Sequence, residues 1–179
     1  ITVDQIGRAL AEANTGDTLM MQNETTGQLD AAIMAKDLGL QVVYAAAPFD
    51  ADAVSALLPY IDLLVLNEVE AEQLEAAIGQ SIEGLSIQDV IVTLGANGCR
   101  WYSNVAKLVT DFPAIKVDPI DTTGAGDTFT GYLVAGLDRG MVMKQAIQLA
   151  TQAGALMVTR LGTADVIPDL KEIQDARLG

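Results

Sequence analysis

The sequence predicts an α/β fold built on a mostly parallel sheet with helices on both faces. Nearly continuous apolar runs of strand length recur along the chain, and the clearest are 61–66 and 90–94. Amphipathic stretches with helical spacing separate these runs. Strands that are buried on both faces have such continuous apolar runs, and helices connect them in parallel sheets.

The first half of the chain is predicted to alternate helix and strand. Residues 3–13 form a predicted helix, because apolar side chains recur there at helical spacing. Gly39 and Gly79 each follow an amphipathic stretch, and glycine is typical just beyond the end of a helix. The other elements predicted here are strand 19–21, helix 28–38, strand 40–47, helix 52–58, strand 61–66, helix 68–78 and strand 90–94.

The second half is predicted to hold a local antiparallel region followed by helices. A hairpin is expected around Asn104, and Pro168 is expected to open a short last helix. The predicted elements are strands 98–103, 105–109 and 114–117 and helices 125–138 and 142–158. Because no repeat, low-complexity tract or linker interrupts the sequence, we expect residues 1–179 to form a single domain.

Acidic residues dominate the charge of the chain. Lys and Arg total 10, Asp and Glu total 24, and the formal net charge is −14. A nucleic-acid-binding surface normally carries the opposite sign, so we expect no nucleic-acid partner. The chain has no histidine, which excludes imidazole bases, His-dependent triads and His-ligated metals within it.

The composition also indicates the compartment. No apolar run approaches the roughly 20 residues of a membrane helix, and no secretory signal is evident. The single Cys99 excludes an internal disulfide and is typical of a small apolar strand residue in a reducing environment. We therefore expect a cytoplasmic protein without a membrane partner.

The glycine-containing turn before the predicted helix 125–138 is the strongest candidate for chemistry. Gly124 and Gly126 permit backbone angles that other residues avoid. The first amides of a helix have no acceptor within it, and together with the helix dipole they attract an anion. Asp127 lies in the first turn, close to any bound anion, where a general base could reach a hydroxyl proton.

Taken alone, this turn also fits an ordinary glycine loop followed by a first-turn acid. It is not a Walker loop, because no Gly-Lys-Ser/Thr follows. It is not the dinucleotide-binding G-x-G-x-x-G motif either, because Phe129 stands at the place of the third glycine. A dinucleotide-dependent oxidoreductase is therefore disfavoured.

The segment 121–131, D-T-T-G-A-G-D-T-F-T-G, resembles the C-terminal signature of ribokinase-like carbohydrate kinases of the phosphofructokinase-B type. Further segments resemble other motifs of this family, in the expected order. They are N-E-V-E at 67–70, T-L-G-A-N-G at 93–98, T-R-L-G at 159–162 and Ile167-Pro168. The resemblance extends from about residue 13 to the end of the chain.

The resemblance implies a three-layer α/β/α ribokinase-like fold and an ATP-dependent kinase that phosphorylates a sugar hydroxyl. Asp127 would be the general base, and Gly124, Ala125 and Gly126 would form the anion hole for the transferred phosphoryl group. Ribose is the first candidate substrate, and fructose, 2-keto-3-deoxygluconate and nucleosides remain alternatives. A non-catalytic regulator that binds a nucleotide or a sugar is a further alternative.

The resemblance also assigns nucleotide-binding and sugar-binding positions. The implied nucleotide-binding residues are Asn67, Thr93, Leu94, Gly95, Ala96, Asn97, Gly98, Gly126 and Thr151. Without the resemblance, residues 93–98 fit a plain turn into the next strand as well as they fit a nucleotide-binding segment. Glu24 matches an acidic residue that contacts the sugar, although a solvated cap fits it as well. Ala45 stands where the family has an amide side chain, which leaves the choice of sugar open.

Two cation sites are implied. Glu70 would hold the waters of a Mg²⁺ ion, although Asn67 and Glu70 have the spacing of a helix capping box, and the two roles are compatible. Asp121, Thr123, Arg160 and Gly162 match the ligands of a monovalent cation such as K⁺. Dependence on K⁺ stays open, because Val166 stands where the family usually has Ser.

Family members begin with a further N-terminal portion, which carries sugar-binding residues and a β-sheet lid. The first residue here is Ile1, and the chain matches the later part of such a kinase. We therefore expect a partial domain with the N-terminal part and lid missing, and a fragment with little or no kinase activity on its own. The intact protein is expected to be a homodimer, because the family often dimerises through the lid.

Overall fold

The computed structural model describes residues 1–176 and confirms the α/β fold class. The helices and strands alternate through the first half of the chain, as predicted. Their bounds are α1 Val3–Leu10, β1 Thr18–Gln22, α2 Gln28–Asp37, β2 Gln41–Ala45, α3 Ala51–Leu57, β3 Leu63–Asn67, α4 Glu68–Ile78, β4 Asp89–Thr93, β5 Cys99–Ser103, β6 Leu108–Phe112, α5 Ala125–Asp138, α6 Met143–Met157 and α7 Leu170–Asp175.

The six strands form one sheet in the order β1-β2-β3-β4-β5-β6, and the first four run parallel. Residues of β2 and β3 are buried in succession: Val42 to Ala45 and Leu63 to Leu66 are all enclosed. Because successive strand residues point to opposite faces, this pattern means that both faces of the sheet are covered there. The continuous apolar runs in the sequence therefore predicted the parallel sheet correctly.

The hairpin predicted around Asn104 is present, but its second strand begins later than expected. Residues 104–107 form the turn, in which Lys107 takes a left-handed φ of 53°, and β6 starts only at Leu108. The predicted strand 114–117 is wrong. Pro113 has no N–H to donate to a sheet ladder, and the chain after β6 continues without regular structure.

The described chain divides into two compact units. One holds Ile1–Thr93 and Arg100–Thr110, and the other holds Leu94–Cys99 and the described chain from Asp111 onward. A single domain over the whole sequence therefore stays a prediction. No helix within residues 1–176 has the length and apolar character needed to cross a membrane.

In the first unit, Asp62 ties together the amino-terminal ends of neighbouring strands. Its carboxylate accepts hydrogen bonds from Lys36 Nζ at 2.8 Å and from the Val42 N–H at 2.8 Å. Its backbone N–H donates to the Val42 carbonyl at 2.8 Å, and its carbonyl accepts from the Asp89 N–H at 3.1 Å. These bonds satisfy polar groups at the edge of the sheet opposite to the carboxyl ends of the strands.

In the second unit, α5 and α6 pack against each other. Phe129 and Leu133 of α5 and Ile147 of α6 are buried. A Cβ added at Gly136 would lie 3.2 Å from the Ala146 Cβ, so the small residues at these positions allow the two helices to approach closely. This packing fixes the direction in which α5 presents its amino-terminal end.

Tyr44 of β2 is fully buried, and its hydroxyl has no hydrogen-bond partner among the described residues. Burial, with a smaller contribution from the Asp50 carboxylate, raises the pKa of Tyr44 to about 12. A buried hydroxyl without a partner costs about 1–3 kcal/mol. We therefore expect Tyr44→Phe to leave the free energy of unfolding unchanged or to raise it by up to about 1 kcal/mol.

Tyr132→Phe is the matched control, because the Tyr132 hydroxyl donates a hydrogen bond to the Pro168 carbonyl. Losing that bond should lower the free energy of unfolding by about 1 kcal/mol. Denaturant unfolding of both variants provides the measurement. A loss for Tyr44→Phe as large as that for Tyr132→Phe would contradict the prediction.

Candidate active site

The amino-terminal end of α5 lies where the sequence predicted it. Gly124 is the N-cap residue with a left-handed φ of 75°, and no side chain caps the helix. The Ala125 N–H approaches the Thr122 carbonyl at 3.3 Å. The first bond between residues four apart is donated by the Thr128 N–H to the Gly124 carbonyl, at 2.9 Å. The first amides of an α-helix generally have no acceptor within it, and this is the arrangement that attracts an anion.

Gly126 is not required by the fold. Its φ lies outside the left-handed region, and a Cβ added there would meet no atom within 4 Å. Gly98 shows the contrast: it has a φ of 99°, and a Cβ there would lie 2.0 Å from the Phe112 carbonyl oxygen. The absence of a side chain at Gly126 keeps the exposed surface of the first helical turn open to a ligand.

Asp127 is exposed in the first turn of α5, and the two residues after it, Thr128 and Phe129, are buried. Its position agrees with the sequence prediction, while its role as a base stays a prediction. The helix dipole stabilises a carboxylate at this place. The turn thus combines amides that can bind an anion with a carboxylate beside them.

Three of the four residues predicted to bind a monovalent cation lie together. The Asp121 carboxylate accepts a hydrogen bond from the Thr123 N–H at 2.9 Å. The hydrogen bonds from Thr123, and a smaller one from the Gly162 amide, lower the pKa of Asp121. The Asp121 N–H donates to the Val158 carbonyl at 3.2 Å, which joins this turn to the end of α6. The carboxylate is therefore held ionised, as a cation ligand must be.

The side chain of Arg160, the fourth predicted residue, is engaged elsewhere in the second unit. It donates to the Val166 carbonyl at 3.0 Å and to Glu172 at 2.8 Å, and it holds the pKa of Glu172 below its usual value. Arg160 can therefore contribute only its carbonyl to a cation. A Cβ at Gly162 would lie 3.1 Å from Val166 Cγ1, so the Val166 side chain places methyl groups beside this glycine.

Asn67 and Glu70 form the capping box that their spacing predicted. The Glu70 N–H donates to Asn67 Oδ1 at 2.9 Å, and the Asn67 N–H donates to Glu70 Oε2 at 2.7 Å. Partial burial raises the pKa of Glu70, and the hydrogen bond from the Asn67 amide partly offsets this. Among the described residues, no three acidic or cysteine side chains cluster closely enough to hold a metal ion directly. A single carboxylate fits a Mg²⁺ ion bound through its waters.

The predicted nucleotide residues Asn67 and Thr93 are opposite each other at the carboxyl ends of β3 and β4. The Thr93 hydroxyl approaches the Leu66 carbonyl at 3.3 Å. Ligands of open parallel sheets bind at this edge. Both residues therefore lie at the carboxyl ends of buried strands, as the sequence predicted.

The residues that follow Thr93 form a short 3-10 turn, Gly95–Asn97, closed by a hydrogen bond of 2.7 Å from the Leu94 N–H to the Gly98 carbonyl. Ala96 lies within this turn. Gly95 has a φ of 56° and open space around it. Position 98 must be glycine because residues 112–114 pass too close to it for a side chain. The motif alone did not indicate this structural reason.

Thr151 has internal partners in the second unit. Its hydroxyl donates to the Ile147 carbonyl at 2.8 Å. Burial and the Asp111 carboxylate raise the pKa of Cys99 to about 12, which a hydrogen bond with Thr151 partly offsets. The Thr151 side chain is therefore hydrogen-bonded within the second unit. Its contact with the adenine stays a prediction.

Glu24, the predicted sugar contact, is exposed in the loop between β1 and α2. The preceding residue, Asn23, is linked by its side chain to Gln28 and to the Pro48 carbonyl. These hydrogen bonds could not be predicted from the sequence, because no spacing rule marks an asparagine whose side chain bonds a neighbouring loop.

Comparison with known proteins decides the family. Residues 21–170 match the family model described as pfkB family carbohydrate kinase. The chain belongs to the pfkB family of carbohydrate kinases. A ribokinase from Haemophilus influenzae is 37% identical over 179 aligned positions, which cover 90% of this chain and 56% of that protein. The chain thus spans about half the length of the curated pfkB-family relatives it matches.

Solved structures agree with this assignment. Ribokinase from Thermotoga maritima has a TM-score of 0.78 and 28% identity, and the match covers 98% of this chain and 59% of that one. Ribokinase from Cryptococcus neoformans, solved in complex with ADP, has a TM-score of 0.81 and 27% identity, with 93% of this chain and 61% of that one covered. The ribokinase-like architecture inferred from the sequence is therefore confirmed.

Proposed function

We propose that this protein is an ATP-dependent kinase that phosphorylates a sugar hydroxyl, with ribose as the first candidate. The observation that carries the proposal is the amino-terminal end of α5, where Gly126 leaves the first turn open and Asp127 lies beside the amides. In a chain of the pfkB family, this arrangement suits transfer of a phosphoryl group to an alcohol.

Each group at the turn has a role in this reaction. The Asp127 carboxylate takes the proton from the attacking sugar hydroxyl. The sugar oxygen bonds to the γ-phosphorus of ATP, and the bond between that phosphorus and the oxygen bridging to ADP breaks. The amides around Gly124, Ala125 and Gly126 stabilise the negative charge on the transferring group. Positioning and charge stabilisation supply most of the rate in such reactions.

The residues proposed to contact the nucleotide are Asn67 and Thr93 in the first unit and residues 94–98 in the second. The C. neoformans ribokinase, whose structure contains ADP, supports an adenine nucleotide as the ligand. Mg²⁺ held through water by Glu70 would neutralise charge on the phosphates. The Asp121 carboxylate with the Thr123, Arg160 and Gly162 carbonyls would hold K⁺, and the Val166 side chain would add no hydroxyl ligand. A cytoplasmic location fits a kinase that consumes ATP.

The two roles of Glu70 can be separated by Glu70→Gln. Glutamine also completes a capping box, as Gln5 does with Thr2 at the start of α1. We therefore expect the free energy of unfolding to change by less than about 0.5 kcal/mol. The amide holds metal-bound water less strongly, so the Mg²⁺ concentration for half-maximal activity should rise about 10- to 100-fold.

Glu68→Gln is the control, because it removes a first-turn carboxylate of α4 that takes no part in the cap. Mg²⁺ titrations of ADP release by both variants provide the measurement. If the Mg²⁺ requirement of Glu70→Gln matches that of Glu68→Gln, Glu70 serves the helix cap alone.

A substrate panel tests the proposed function itself. ADP release would be measured for the complete gene product with ATP, Mg²⁺ and each of ribose, fructose, 2-keto-3-deoxygluconate and a nucleoside. We expect ribose to give the highest kcat/KM, and a higher value for another sugar would reassign the substrate. Absence of ADP release with every acceptor, together with a thermal shift caused by ATP, would favour the alternative of a non-catalytic regulator.

A further inference from the structure

The loop between β1 and α2 is held at both ends by one side chain. The Asn23 N–H donates to the Ala47 carbonyl at 3.0 Å, and Asn23 Nδ2 donates to the Pro48 carbonyl at 2.9 Å. Asn23 Oδ1 accepts from Gln28 Nε2 at 3.1 Å. We call the Asn23 side chain with its partners Gln28 and Pro48 the Asn23 clamp.

The clamp fixes the loop in two directions. Gln28 is the first residue of α2, and the N-cap residue before it, Gly27, provides no side-chain cap. The Gln28 side chain donates a hydrogen bond back to Asn23. This closes the loop on itself. The bond to Pro48 joins the loop to the one that follows β2. Because the Asn23 amide both donates and accepts, its orientation is determined, and so is the backbone on which Glu24 follows.

The position of the clamp makes it relevant to a ligand. The last paired residues of β1 and β2 are Gln22 and Ala45, so Asn23 lies just beyond the carboxyl ends of two neighbouring parallel strands. That edge of an open α/β sheet is where ligands bind. Glu24, which follows directly, is exposed there.

We propose that Asn23 is a positioning residue for the acceptor sugar: through the clamp it fixes the loop that presents Glu24. This inference rests on the proposed kinase function. Asn23 itself makes no contact with the sugar in this proposal. A preformed loop pays no ordering cost when the sugar binds, so loss of the clamp weakens sugar binding specifically. ATP binding does not depend on this loop.

The test is a pair of variants of the complete gene product, Asn23→Leu and Gln28→Leu, alone and combined. We expect each to raise the KM for the preferred sugar by about 2- to 10-fold, because each removes at least one hydrogen bond of the clamp. The KM for ATP should stay within about twofold of the wild type, which is less than the loss of one such bond. The double variant should be only slightly worse than Asn23→Leu, because both substitutions break the same network.

Asn104→Ala is the matched control. Asn104 is also an asparagine of the first unit whose Nδ2 donates to a backbone carbonyl, that of Ile87, at 3.0 Å. Its loss should lower the melting temperature without separating the two KM values. Thermal unfolding of every variant shows how much of an effect is merely structural.

Three results would overturn the inference. One is an unchanged sugar KM in both single variants. Another is a parallel rise of the sugar and ATP KM values like that of the control. In both cases the wild type is an active sugar kinase, and the proposed function survives. The third is a wild type that phosphorylates no sugar, which overturns the proposed function and the inference with it. If Asn23→Leu fails to fold, Gln28→Leu alone decides, because it keeps the bond to Pro48.

Discussion

Replacing Asp127 by Asn in the complete gene product should lower kcat about 10²- to 10⁴-fold, the usual contribution of a general base. Asparagine has nearly the same shape but cannot take the proton from the sugar hydroxyl. The affinity for ATP, measured by calorimetry, should change by less than about fivefold, since loss of a surface charge at a helix terminus amounts to under 1 kcal/mol.

Asp30→Asn is a closely matched control. Asp30 lies in the first turn of α2, which also begins after a left-handed glycine, Gly27, without a side-chain cap. Both aspartates are the third residue of their helix and both are exposed. The control should lose a similar, small amount of stability while keeping full kcat. Equal loss of turnover and ATP binding in Asp127→Asn would instead indicate a structural role.

Much of the candidate site could be predicted because its signals are local. The start of α5 follows from Gly124 and from the buried positions Phe129 and Leu133, which share one face of the helix. The cap of α4 follows from the three-residue spacing of Asn67 and Glu70. In both cases, the geometry depends on residues within two helical turns of each other.

The features that the sequence analysis missed depend on contacts between distant parts of the chain. Gly98 is required because residues 112–114 pass close to it, which no property of the T-L-G-A-N-G segment reveals. Segment 114–117 has the apolar pattern of a strand, but the absent N–H of Pro113 and the end of the sheet at β6 prevent pairing. Asn23 bonds a carbonyl 25 positions away in the sequence. Such approaches are set by tertiary packing, which local patterns do not encode.

Gly126→Ala should change stability and activity in opposite directions. The added methyl group meets no atom within 4 Å, and the backbone of Gly126 is compatible with alanine. Because glycine inside a helix costs about 0.5–1 kcal/mol relative to alanine, the variant should unfold at a higher temperature. The same methyl group projects into the surface where the phosphoryl group is proposed to bind. It would keep the phosphate oxygens away from the amides, and kcat should fall about 10²- to 10³-fold.

Gly131→Ala separates these two effects. Gly131 lies in the same helix, has no left-handed φ, and would also accept a Cβ without any atom within 4 Å. It should therefore gain stability as Gly126→Ala does and keep the wild-type kcat. If the glycines of α5 served only the fold, the two variants would behave alike. A Gly126→Ala variant as active as Gly131→Ala would contradict the anion hole. A loss of activity confined to Gly126→Ala would indicate a ligand at the first turn, because the protein itself leaves that space open.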